Sequence, residues 1–124
     1  MKTFIKLFLI CTCISFGSCS KKDDTPDPMT TMVDKWWCDS NNTVSSQYFK
    51  SDGTWEQGEK NGGANNDKGK WSMSPDKKKI FITNVTSKVH LFTNWEYDFI
   101  SSSSTNLELN FTAINVKMSM VVCP

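Results

Sequence analysis

Apolar and polar residues alternate along most of the chain with a period of two, and no segment carries an apolar stripe at helical spacing. The longest alternating run is 88–100. Val89, Leu91, Trp95, Tyr97 and Phe99 share one parity there, and His90, Asn94, Glu96 and Asp98 share the other. That arrangement predicts one bent strand with a buried face and a wet face. Residues 106–111 set Leu107, Leu109 and Phe111 against Glu108 and Asn110, and residues 116–122 place Val116, Met118, Met120 and Val122 on one face. Shorter β-rich runs precede these, at 33–38, 47–50, 54–59, 69–73 and 79–84.

Turn chemistry separates the runs. Ser51-Asp52-Gly53 predicts a tight hairpin, because Asp-Gly tolerates the positive φ that such turns need. Residues 60–68 (KNGGANNDK) are too polar and Gly-rich for anything but loop, and Ser74-Pro75-Asp76 and 101–105 turn the chain again. Evenly spaced short strands of this kind predict an all-β fold, a small eight-stranded antiparallel up-and-down barrel. Closure would leave no exposed edge and would set the first strand beside the eighth.

The N-terminus follows a different rule. Lys2 and Lys6 precede an apolar stretch from Leu7 to Phe16, and Gly17 and Ser18 lead into Cys19, the order of a bacterial signal peptide. The apolar core is about ten residues, whereas a bilayer span needs about 20. The run Phe16-Gly17-Ser18-Cys19 resembles a lipobox, although lipoboxes prefer Leu at the first of these positions. The expectation is a signal peptide over 1–18 and a lipid-modified (palmitate-type) Cys19. Cys11 and Cys13 follow Ile10 and Thr12, where the peptidase wants a small residue. Ser20-Lys21-Lys22-Asp23-Asp24 is similar to the export signal of some Gram-negative lipoproteins, which implies the outer face of the outer membrane. A solvated charged tether is the alternative. Residues 19–31 are charged, Pro-containing and poor in strong apolar residues, and read as a flexible tether. The domain then runs from 32 to 124.

Composition narrows the partners. The 124 residues carry 14 basic and 13 acidic side chains, and Lys2 and Lys6 leave with the signal, so the mature chain is close to neutral. None of the basic residues is arginine, the preferred fork for phosphates and base edges, so nucleic-acid binding has no support. Of the five cysteines, Cys38 and Cys123 remain as a pair once Cys11 and Cys13 are cleaved off and Cys19 is lipidated. An oxidising compartment makes their disulfide the expected state; two unlinked thiols are the competing one.

Several motifs occur in a recognisable order: Trp36-Trp37, then Tyr48-Phe49-Lys50-Ser51-Asp52-Gly53-Thr54-Trp55, then Gly69-Lys70-Trp71, then Leu107-Glu108-Leu109. Together they resemble the small bacterial lipocalin-like domain that is common on anchored lipoproteins. Lys35 stands where that family often has Gly. The resemblance implies an eight-stranded barrel, with or without an apolar cup, and fixes no ligand. Trp36, Phe49, Trp55, Trp71, Trp95, Tyr97 and Phe99 are the candidate lining residues for a small apolar ligand, and core packing is the competing role for each.

No catalytic constellation is visible. His90 is the sole histidine and lies on a polar parity, and no nucleophile motif or phosphate-cradling glycine loop occurs. The sequence predicts no enzyme, metal or cofactor. It predicts a membrane-anchored barrel that binds a small apolar ligand. The alternative is a solid scaffold for a protein partner, with 60–68 and 74–78 making the contacts.

Overall fold

The computed structural model describes residues 26–124; the expected signal peptide, the lipobox-like run and Cys19 lie outside the described residues. Eight strands follow a short helix: β1 (Trp36–Asp39), β2 (Ser46–Phe49), β3 (Thr54–Gly58), β4 (Asp67–Met73), β5 (Lys79–Thr86), β6 (Trp95–Ser102), β7 (Asn106–Phe111) and β8 (Val116–Val122). Each strand pairs antiparallel with the next, and β1 pairs with β8, which closes the predicted up-and-down barrel. The alternation of the sequence becomes an inside and an outside. Trp37, Phe49, Trp55, Trp71, Ile80, Ile82, Tyr97, Leu107, Leu109, Met118 and Met120 form one buried core.

Glycine is required at two of the motif positions. Gly53 closes the β2–β3 turn at φ 84°, where an L side chain is strained. At Gly69 a Cβ would sit 2.9 Å from the Thr83 carbonyl oxygen. The β4–β5 register slips beside it, between Lys68 and Lys70. Lys35, by contrast, needs no glycine: the left-handed residue before β1 is Asp34, at φ 58°.

The structure corrects the sequence reading in three places. First, 27–31 does not continue the tether. Residues Pro28–Met32 form a helix, α1, with Asp27 as its N-cap accepting from the Met29 amide at 3.0 Å. Asp followed by Pro at the first helical position is a helix-start signal, but five residues make no amphipathic repeat, so periodicity misses it. Tertiary contacts hold α1 in place. Met32 is fully buried, the Thr31 and Ser102 hydroxyls lie 2.5 Å apart, and Asp27 pairs with Lys77 at 2.9 Å. Second, the first strand starts at Trp36 rather than Val33. The Asp34 turn intervenes, fixed by the Ser51 amide donating to Asp34 Oδ1 at 2.9 Å.

Third, the run 88–100 is not one strand. Only Trp95 onward joins the sheet, and Val89, Leu91 and Phe92 are 72%, 98% and 72% exposed. The Ser87 hydroxyl accepts from the Val89 and His90 amides and turns the chain away from β5. The Val85 amide then bonds the Thr93 carbonyl and pins the base of the loop. The tip therefore projects, although its residues alternate like a strand. Val116 and Val122 likewise share a parity with buried Met118 and Met120 but stand exposed at the strand ends.

The topology gives the barrel two unlike ends. The chain enters β1 at the near end. That end carries α1, the turns 50–53, 74–78 and 103–105, and the C-terminus. The far end carries the loops 40–45, 59–66, 87–94 and 112–115. The bond from Lys35 Nζ to the Ser104 carbonyl ties the entry to the near end. Loop 59–66 folds back from the far end along the outer wall, where Lys60 meets the Pro124 carbonyl.

Cys38 and Cys123 are joined in a disulfide across the β1–β8 seam, 85 residues apart in sequence. One residue on, Asp39 organises the β1–β2 loop. Its carboxylate accepts from the Asn41, Thr43 and Val44 amides and from the Thr43 hydroxyl. Burial alone would raise its carboxyl; the hydrogen bonds outweigh burial and hold it below the ordinary aspartate range. A depressed folded value means that this contribution is complete above the unfolded value, about 3.9, and is lost as pH falls through the folded one. Asp39→Ala is therefore expected to cost about 1–3 kcal/mol at neutral pH. The gap from the parent should close on acidification, as urea unfolding across a pH series would register.

Candidate functional site

The candidate lining residues do not share one location. Phe49, Trp55, Trp71 and Tyr97 point into the barrel and are buried, and Trp95 and Phe99 pack against the same core while partly exposed. Trp36 is a correction: it lies on the outer wall beside Tyr48, their rings 5.2 Å apart. Its neighbour Trp37 takes the interior position, opposite Gln47 on β2 and Val122 on β8. Two adjacent tryptophans satisfy either parity, so alternation cannot choose between them. The outward position of Cys38, required for a bridge beyond the end of β8, assigns Trp36 to the same outer face.

The inward rings pack edge against face. Phe49 meets Trp71 at 5.5 Å and 82°, and Trp55 meets Trp95 at 5.2 Å and 82°, the T-shaped geometry favoured by the ring quadrupoles. Their polar atoms are used internally. Trp55 Nε1 donates to Gln47 Oε1 at 2.8 Å, Gln47 Nε2 donates to Gln57 Oε1 at 2.8 Å and to the Tyr97 hydroxyl at 3.3 Å, and Trp95 Nε1 donates to that hydroxyl at 2.9 Å. Burial pushes the Tyr97 phenol up to about 12 against the pull of Gln47 and Trp95, so it stays neutral at physiological pH. Trp37 Nε1 is held by the Met32 carbonyl, and Trp71 Nε1 by the Lys50 carbonyl. Met32 closes the near end with no exposed surface. The inward rings and their polar atoms thus find their partners within the barrel wall. The interior amide Gln47 was not legible from alternation, which marks apolar positions and passes over a polar one satisfied from inside.

At the far end of the interior, Asp67 is 3% exposed, and its Oδ1 has no hydrogen-bond partner among the described residues. His90, on the projecting loop, places Nε2 3.7 Å from Asp67 Oδ2. The same loop is braced by Lys88 Nζ donating to the Ala64 carbonyl at 3.0 Å. Beyond these braces stand the uncovered Val89, Leu91 and Phe92. Ile114, two-thirds exposed in the adjoining 112–115 turn, lies at the same end. Two of these residues, Val89 and Leu91, are ones that alternation predicts on a buried face.

Of the two segments expected to make contacts, 74–78 sits at the near end beside α1. Loop 59–66 is fastened to the wall by Asn66, whose side chain bonds Glu56 Oε1 and the Glu59 backbone. Comparison with known proteins leaves the geometry to stand alone: no family model, curated protein or solved structure matches the chain at a significant level.

Proposed function

We propose that this chain is a bacterial lipoprotein, held on the outer membrane through Cys19, whose lipocalin-like barrel is a solid scaffold for contact with a protein partner. The mutual packing of the inward rings supports the reading. An apolar-ligand cup needs unoccupied volume among Phe49, Trp55, Trp71 and Trp95, and those rings instead meet one another. The far end supplies the contact surface. Isolated exposed apolar residues are ordinary, but several gathered on one loop mark an interaction site. The chain enters the barrel at the opposite end, so an anchor there leaves this loop facing outward.

Two measurements on cells test the reading. Metabolic labelling with an alkyne fatty acid is expected to mark the protein and to vanish in Cys19→Ala; unchanged labelling removes the anchor. A photo-crosslinking amino acid in place of Leu91 is expected to yield one discrete adduct, absent when the probe replaces Glu108 on β7. Adducts at neither position, with a small molecule co-purifying in native mass spectrometry, would favour the cup.

A further inference from the structure

The outer wall of β1–β3 carries a second feature, independent of the scaffold reading. Trp36 and Tyr48 are cross-strand neighbours there, with rings tilted at 57°. Ordinarily such a pair would lie flat on an exposed sheet and contribute only its mutual packing. Here loop 59–66 folds down beside it, and Asn61 and Gly62 face Trp36 and Tyr48 across a groove of about 440 Å³ that Asp34, Lys50 and Glu56 also line. That volume falls within the range of small-molecule sites, about 300–1,000 Å³.

The groove holds one feature that wall packing does not call for. Glu56 points outward from β3, opposite Tyr48, yet is only 8% exposed because the loop covers it. Asn66 Nδ2 binds its Oε1 at 2.8 Å and fixes the carboxylate. Its Oε2 makes no hydrogen bond among the described residues. That oxygen is not sealed from solvent, so it stands as an acceptor open to the groove. On the other side of the groove Lys50 holds its ammonium 5.7 Å from the Tyr48 ring centroid.

These chemistries select a ligand class. A purely apolar ligand would strand Glu56 and Lys50. A cation is opposed by Lys50, and a phosphate by Glu56 and Asp34. A neutral sugar suits the set. Its C–H face packs on an aromatic ring, and each hydroxyl both donates and accepts, so it can give to a carboxylate and take from an ammonium or an amide. We propose that this groove is a saccharide-binding site, with Trp36 and Tyr48 as the platform, Glu56 as acceptor, and Lys50 and Asn61 as donors.

The test titrates the purified protein separately with chitotetraose, maltotetraose and laminaritetraose. Tryptophan fluorescence and saturation-transfer NMR follow the binding. At least one sugar is expected to saturate the signal. Trp36→Ala and Tyr48→Ala should each weaken that sugar about tenfold or more. Glu56→Gln keeps the side-chain shape and should weaken it comparably while the thermal unfolding midpoint stays near that of the parent, so the proposal remains testable if Trp36→Ala fails to fold. Leu91→Ser, at the far end, should bind as the parent does. No saturable response to any of the three sugars, or parental affinity in Glu56→Gln, overturns the assignment.

Discussion

Replacing Cys38 and Cys123 together by serine is expected to lower the unfolding free energy by about 4–5 kcal/mol, the chain-entropy value for so long a closed loop. The bridge spans 85 residues, and nearly the whole barrel lies between its ends. Where it acts matters as much as the loop length. The β1–β8 seam is the last pairing needed to close the sheet, and it comprises three residue pairs, Trp37 with Val122, Cys38 with Val121 and Asp39 with Met120. In the unfolded chain these partners are almost as far apart in sequence as the domain permits, so the seam gains most from a covalent link. Guanidinium titrations of the oxidised parent, the reduced parent and the double variant would measure the effect. Reduced parent and double variant should agree. A loss below about 1 kcal/mol would mean that native strain or residual denatured structure cancels the loop term.

Trp55→Ala is expected to cost about 3–5 kcal/mol from burial and cavity alone. A further contribution, about 1–3 kcal/mol, comes from stranding Gln47 Oε1. Trp55 is 1% exposed, packs edge-on against Trp95 and donates the 2.8 Å bond that fixes the Gln47 amide. Gln47 in turn serves Gln57 and Tyr97, so the loss propagates to three elements. Trp55→Phe helps separate the two contributions, because it keeps one aromatic ring in the core while removing the indole N–H and the smaller ring that carries it. Thermal unfolding of both variants should place Phe between the parent and Ala. Equal losses in the two would show that the hydrogen bond, rather than packing, dominates the site.

The barrel was legible because its strands are short, alternating and punctuated by residues with a physical reason to turn. Asp52-Gly53 marks one such turn, and the Gly69 approach to Thr83 explains why a glycine precedes Trp71. The seam was legible from cysteine arithmetic. Three features were hidden for different reasons. Five residues of α1 are too few to show a period, and tertiary contacts hold them. Trp36 and Trp37 are chemically equivalent as text, and only the partner strands give one of them the interior. Val89 and Leu91 imitate a buried face, while the Ser87 turn beside them, a local hydrogen-bonding choice, lifts them off the sheet. Period-two alternation therefore located the walls well and the projecting loop poorly. What projects from a barrel is decided by turns, whose residues do not obey the period.

The seam disulfide has a mechanical consequence. The chain enters through α1 and β1, and Cys38 is the third residue of β1. A pull on the N-terminal segment can strip α1 first; beyond it, Trp36 and Trp37 carry the β1–β2 pairs and Cys38 follows directly. From there the load divides between two strands on either side of the seam, because the bond carries it to the end of β8. A protein moored by this segment can thus lose its near-end cap under tension while the rest of the barrel stays closed.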